Sequence, residues 1–133
     1  MNYSIVGDSL IQNYEHDDII SYPGMTLEHF VANHLDLLPD VDTTEYIFCF
    51  GANDLASGIP EDEVIQNYSA LIKKNEKCCL ILPPFQTCFF YEKCFDKLDC
   101  TFIPTFMQNY TTVDGLHPTN HTLSELKVDI ENV

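Results

Sequence analysis

Five short runs of apolar residues recur along the chain: Tyr3 to Val6, Ile19 to Tyr22, Tyr46 to Phe50, Cys78 to Leu82 and Thr101 to Ile103. The third and fourth are apolar without alternation, the pattern of strands covered on both faces in a parallel sheet. The segments between the runs carry the helical period. Thr26 is placed to cap a helix on which Leu27, Phe30, Val31, Leu35 and Leu38 share one face. Pro60 opens a second helix, with Glu61, Asp62 and Glu63 in its first turn, Lys73 and Lys74 in its last, and Val64, Ile65, Tyr68, Leu71 and Ile72 as its buried stripe. That charge order suits the helix dipole at both ends. Pro118 is expected to open a last helix with Leu123, Leu126 and Ile130 inward. Residues 10–16 read as helix or loop, and the aromatic stretch 85–97 is ambiguous by period. Strands alternating with helices give an α/β domain with a parallel sheet.

The length of 133 residues suits one domain over 1–133. There are 21 acidic residues against 6 basic ones, all lysine, for a formal charge of -15. Nucleic-acid binding needs a cationic surface and is excluded as an expectation. Anionic membranes and polyanionic sugars are disfavoured for the same reason. No apolar run approaches the ~20 residues that cross a bilayer, so no integral membrane contact is expected. The N-terminus shows no basic segment followed by a long apolar one, which points to a cytoplasmic setting. The cysteines at 49, 78, 79, 88, 94 and 100 are then expected to be reduced, with Cys49, Cys78 and Cys79 packing as small hydrophobes.

In an open parallel sheet, ligands bind beyond the carboxyl ends of the strands. Each such point here carries a distinctive turn. Gly7-Asp8-Ser9-Leu10 follows the first strand, Pro23-Gly24-Met25 the second and Gly51-Ala52-Asn53-Asp54 the third. Asp114-Gly115-Leu116-His117-Pro118 precedes the last helix. Taken singly, each is an ordinary turn or cap. Together they supply a nucleophile, a base, a carboxylate to orient the base, and donors for an oxyanion, all on one side of the sheet.

These four blocks, in this order, resemble the SGNH hydrolases, also called GDSL esterases and lipases. The Gly-Asp-Ser-Leu and Asp-x-x-His-Pro blocks are the most specific, Gly-x-Asn-Asp is nearly so, and the Gly24 block is the least. The resemblance implies Ser9 as nucleophile, His117 as general base and then acid, and Asp114 as the group that orients the imidazole. It implies an oxyanion hole made by the Ser9 and Gly24 backbone N–H groups and the Asn53 side-chain amide. With the periodic pattern it gives a three-layer α/β/α sandwich of about five parallel strands, flavodoxin-like in plan. It implies neither metal nor cofactor.

The residues support these roles on physical grounds. A strand-to-helix turn places the Ser9 N–H where an oxyanion is stabilised. Gly24 leaves room for a carbonyl oxygen, and Asn53 offers a neutral donor. His117, taken to stand at a helix start, would be kept neutral by the helix dipole. Asp8 and Asp54 read as structural acceptors for loop N–H groups. His29 and His34 read as surface or half-buried groups, and His16 as solvated. His117 and His121 are four residues apart but lack a third metal ligand other than Asp114.

The expected activity is hydrolysis of short acyl esters, acetyl above all, because a chain this short leaves little for a deep pocket. A small-molecule or carbohydrate O-acetyl ester is the expected substrate, and a homo-oligomer in which a second subunit supplies a wall is left open. The competing functions are an inactive binding domain of the same fold, or a thioesterase or lysophospholipase. The stretch Phe85 to Phe95 is expected to contribute core packing, with a wall of the site as the alternative.

Overall fold

The computed structural model describes residues 2–39 and 45–133. Five strands form one sheet: β1 (Tyr3–Gly7), β2 (Ile19–Ser21), β3 (Glu45–Cys49), β4 (Cys79–Ile81) and β5 (Thr101–Phe102). All pairs are parallel, in the order β2-β1-β3-β4-β5. Gly7 lies opposite Ser21 on one side and Cys49 on the other. The carboxyl ends of β1, β2 and β3 are therefore level, and their outgoing loops start side by side.

The helices are α1 (Leu27–Asn33), α2 (Ala52–Ala56), α3 (Glu61–Lys74), α4 (Cys88–Lys97), α5 (Thr105–Gln108) and α6 (Asn120–Glu131). Tight turns of 3-10 helix cover Ser9–Ile11 and Leu35–Leu37. Alternate strand residues feed two cores, one on each face of the sheet. Val6, Phe48 and Leu80 pack with Leu27, Phe30, Val64, Tyr68, Leu71 and Phe90. Ile5, Ile47 and Ile81 pack with Ile11, Ile103, Phe106, Leu123, Leu126 and Ile130. The result is the expected three-layer sandwich, and burial on both faces explains the unbroken apolar runs. Each fully buried branched or aromatic chain contributes roughly 1.5–3 kcal/mol.

Threonines cap three of the helices. The Oγ1 of Thr26, Thr87 and Thr119 accepts the N–H of His29, Phe90 and Thr122 respectively. The Thr87 cap resolves the ambiguous aromatic stretch as helix α4. Phe90 and Cys94, one turn apart, are buried, whereas Phe85, Phe89 and Phe95 are exposed. Core packing therefore accounts for only part of this stretch.

Several local expectations are corrected. Helix α1 stops at Asn33, so Leu35 reaches the core from a separate tight turn. The last helix starts at Asn120 with Thr119 as its cap, while Pro118 lies before it, bridged to Thr112. The segment after Gly51 is helix α2 rather than a simple turn. His16 is half-buried, its ring stacked on Tyr3 at 4.0 Å, and its Nε2 donates to the Tyr3 carbonyl at 2.7 Å. All six cysteines are free: Cys49, Cys78, Cys79 and Cys94 are buried, Cys100 is half-buried and Cys88 is exposed. Among the described residues, no helix is long and apolar enough to cross a membrane.

Candidate active site

The β1 loop begins at a forced close approach. A Cβ on Gly7 would lie 2.6 Å from the Cys49 carbonyl oxygen, so only glycine lets β1 and β3 run this near at their ends. Asp8 then donates its N–H to that same oxygen at 3.1 Å. The Asp8 side chain caps the next tight turn, its Oδ1 accepting the Leu10 N–H at 3.0 Å. Ser9 is the first residue of that turn, so its N–H precedes the first intrahelical bond, and among the described residues nothing is seen to accept it.

The β2 loop is a turn over Tyr22–Met25, closed by the Met25 N–H on the Tyr22 carbonyl at 3.1 Å. Pro23 and Gly24 occupy its centre, with Gly24 at φ +78°. That is the type II pattern, which needs glycine at the third position. A Cβ on Gly24 would meet nothing within 4 Å, so glycine is required there by the backbone and not by crowding. Among the described residues, nothing accepts the Gly24 N–H.

The β3 loop enters α2 through Gly51 at φ +113°, where a Cβ would collide with the Tyr68 hydroxyl. That hydroxyl donates to the Phe50 carbonyl at 2.6 Å and braces the loop. Asn53, in the first turn of α2, directs Nδ2 to the Met25 carbonyl at 3.1 Å and to Asp8 Oδ2 at 3.4 Å. Asp54, fully buried, accepts the Leu27 and Glu28 N–H groups at 2.7 and 3.1 Å. It thereby anchors the start of α1 to α2. Both aspartates are acceptors for backbone N–H groups, as the sequence suggested, but at the starts of a 3-10 turn and of α1 rather than in loops.

His117 arrives from the far end of the chain on a loop pinned at both sides. Val113 and Thr119 donate backbone N–H groups to the His117 and Thr111 carbonyls at 2.9 and 3.0 Å. Within the loop, Asp114 Oδ1 accepts the N–H of Leu116 at 3.0 Å and of His117 at 2.8 Å. Its Oδ2 accepts from His117 Nδ1 at 2.7 Å. His117 Nε2 faces Ser9 Oγ at 3.2 Å. A carboxylate only accepts, so Nδ1 carries the proton and Nε2 presents its lone pair to the serine hydroxyl. The helix-dipole argument for His117 does not hold: α6 begins three residues later, and the partner of the ring is Asp114. Tyr110 braces the same loop by donating its hydroxyl to the Leu116 carbonyl at 2.5 Å, a contact no sequence signal marked.

The structure thus brings Ser9, Asp114 and His117 into one hydrogen-bonded line, with Asn53 beside Asp8 and the Gly24 turn next to it. The two carboxyls of the site differ in character. The His117 N–H, the His117 ring and the Leu116 N–H hold Asp114 down to about 2, although its side chain is open to solvent. Burial pushes Asp8 up to about 7, with the nearby Asp54 charge adding to it and the Leu10 N–H and His117 opposing it.

The Asp8 shift has a measurable consequence for stability. Its ordinary value is 3.8, so between about 4 and 7 the folded chain binds a proton that the unfolded chain releases. Stability from this group is greatest below that window and falls as pH rises through it, by about 4 kcal/mol in all. Urea unfolding at pH 5 and pH 8 should show this slope in the wild type and lose it in Asp8→Asn. A slope that survives the substitution would assign it to another group.

The remaining histidines stand apart. His29 is exposed, His34 is half-buried, and His121 pairs with Glu125 at 2.8 Å. Among the described residues, no group of three or more His, Cys, Asp or Glu side chains is arranged to hold a metal ion.

No protein-family model and no curated protein matches the chain. Solved structures do. A member of the lipolytic G-D-S-L family from Veillonella parvula superposes with a TM-score of 0.73 at 11% identity, covering 100% of this chain and 97% of that one. The psychrotrophic esterase EstA from Pseudoalteromonas sp. gives 0.65 at 18%, covering 99% and 96%. AlinE4, an SGNH-hydrolase family esterase, gives 0.57 at 22%, covering 98% and 93%. Over essentially its whole length, the chain has the α/β fold of the GDSL, or SGNH, hydrolases.

Proposed function

We propose that the protein is a serine esterase that cleaves short acyl esters, acetyl esters first among them, through an acyl-Ser9 intermediate. The observation that carries this reading is the unbroken relay from Asp114 Oδ2 to His117 Nδ1 at 2.7 Å and from His117 Nε2 to Ser9 Oγ at 3.2 Å. Both contacts lie within the reach expected of an activated nucleophile.

In this reading Ser9 Oγ attacks the ester carbonyl carbon as His117 Nε2 takes its proton. The carbonyl oxygen becomes an oxyanion and accepts from the Ser9 and Gly24 N–H groups and the Asn53 amide. Collapse expels the alcohol oxygen, which takes the proton back from His117. Water, deprotonated by the same imidazole, then releases the carboxylic acid and restores Ser9. Asp114 holds the ring in the required tautomer and stabilises the imidazolium.

Openness supports the short acyl group. Gly24 is exposed with nothing within 4 Å of its Cβ direction, and the side chain of Asp114 is 55% exposed. An open site of this kind admits an acetyl group carried on a bulky alcohol such as a sugar. Across p-nitrophenyl esters from acetate to decanoate, kcat/KM should not rise, since a chain left in water gains none of the roughly 25 cal/mol per Å² that burial would supply. Faster cleavage of decanoate would favour the thioesterase or lysophospholipase reading.

The direct test is labelling with a fluorophosphonate, followed by peptide mass analysis. A covalent adduct on Ser9 is expected. The Pseudoalteromonas esterase was solved with monoethylphosphonate as inhibitor, a reagent of related chemistry. A folded protein that takes no label would instead be a binding domain.

A further inference from the structure

The Asp8 carboxyl is more than a cap needs. Its Oδ1 alone satisfies the Leu10 N–H, a service that serine or asparagine renders at many helix starts without a buried charge. Yet Asp8 is 1% exposed, and burying a carboxylate is costly unless both its oxygens are used. Among the described residues, the side-chain partner of the second oxygen is the Asn53 amide at 3.4 Å.

That amide has two hydrogens. One can make the firmer contact, to the Met25 carbonyl 3.1 Å from Nδ2, and the other the longer one, to Asp8 Oδ2 at 3.4 Å. The firm bond serves as a pivot, and the loose one is the hydrogen that can be shared with a developing oxyanion. The Asp8 backbone is itself fixed, with its N–H on Cys49 and its carbonyl accepting from Ser21 Oγ at 2.9 Å. One residue therefore joins the loops leaving β1, β2 and β3.

We infer that Asp8 is a positioning residue for the proposed esterase reaction: by bonding Leu10 N–H with one carboxyl oxygen and the Asn53 amide with the other, it sets the Asn53 donor at working distance from the Ser9 N–H. The inference rests on the esterase reading above. Asp8 does not touch substrate; it acts through Asn53.

Asp8→Asn separates this role from plain capping. The amide oxygen still accepts the Leu10 N–H, but its NH2 then faces the NH2 of Asn53, and two donors cannot pair. A merely structural Asp8 predicts a variant with the wild-type kcat. At pH 8, where Asp8 is ionised, the positioning role predicts a kcat for p-nitrophenyl acetate roughly tenfold to a hundredfold lower, since misplacing a donor costs less than the hundred- to thousandfold of deleting one. KM should stay within about twofold, and the urea midpoint at pH 8 should not fall, because a buried charge has been removed. In an Asn53→Ala background, Asp8→Asn should cost nothing further. If Asp8→Asn fails to fold, Asp8→Ser keeps a cap without the second oxygen and should show the same loss in kcat.

An Asp8→Asn enzyme with kcat within twofold of wild type overturns the inference. So does a full loss that persists in the Asn53→Ala background. A wild type that neither hydrolyses the ester nor labels at Ser9 overturns the esterase reading itself and this role with it, an outcome distinct from either of the others.

Discussion

Replacing Ser9 by alanine is expected to abolish turnover of p-nitrophenyl acetate, lowering kcat by about ten-thousandfold to a millionfold. The hydroxyl is the atom that forms the acyl-enzyme bond, and no neighbouring side chain on the relay can replace it. His117→Ala should cost about as much. The double variant should be no worse than either, because the two groups act as one unit and deleting either removes the same step. The loss cannot be charged to unfolding. Asp8, and not Ser9, caps the turn, and Ser9 Oγ is bonded to His117. Ser9→Ala should therefore change stability by no more than about 0.5 kcal/mol. Steady-state kinetics with active-site titration and a urea curve on the same samples check both halves. Equal activity in wild type and Ser9→Ala would remove Ser9 from the chemistry and end the esterase reading.

The fold was legible where one face or two of an element is buried. The apolar runs over Tyr46 to Phe50 and Cys78 to Leu82 became central strands because helices cover both sides of the sheet. Thr26 as a cap and the acidic-to-basic order of α3 were visible because caps and dipoles act within one turn. Local rules failed where the decisive contact was distant or the period was masked. Phe89 and Phe95 break the apolar period of α4 by facing solvent, so the stretch stayed ambiguous in the sequence and its Thr87 cap emerges only in the structure. Pro118 looks like a helix start, but the strand-like bridge to Thr112 holds it outside α6. In the site, four short turn blocks in order, and their resemblance to the SGNH hydrolases, nominated Ser9, Gly24, Asn53, Asp114 and His117. The contact of Asn53 with Asp8 spans 45 residues and that of Ser9 with His117 spans 108. Such pairings come from the level strand ends set by register, and no local pattern announces them.

The loop that carries Asp114 makes a second large effect specific. Asp114→Asn should lower kcat by about ten-thousandfold while leaving the loop folded. The reason lies in how the two carboxyl oxygens divide their work. Oδ1 accepts two backbone N–H groups, from Leu116 and His117, and Oδ2 accepts from the imidazole. In asparagine the single oxygen must stay with the two backbone donors, since turning it away would leave both unpaired. The NH2 then faces His117 Nδ1 and donates to it. The imidazole proton is driven to Nε2, where it points at Ser9 Oγ and leaves no lone pair to take the serine proton. Geometry is kept and the base is lost. Asp114→Ala should lose less of the tautomer control but more of the loop, because both backbone N–H groups lose their acceptor. Comparing the two variants by kcat and by amide hydrogen exchange at Leu116 and His117 separates the effects. The wild-type carboxylate stays ionised down to about 2, so its own protonation does not intrude on rates measured between pH 5 and pH 9. A loss of less than about tenfold in Asp114→Asn would mean that the ring keeps its tautomer without Asp114, and that the Tyr110 and Thr112 contacts of the loop suffice to aim it.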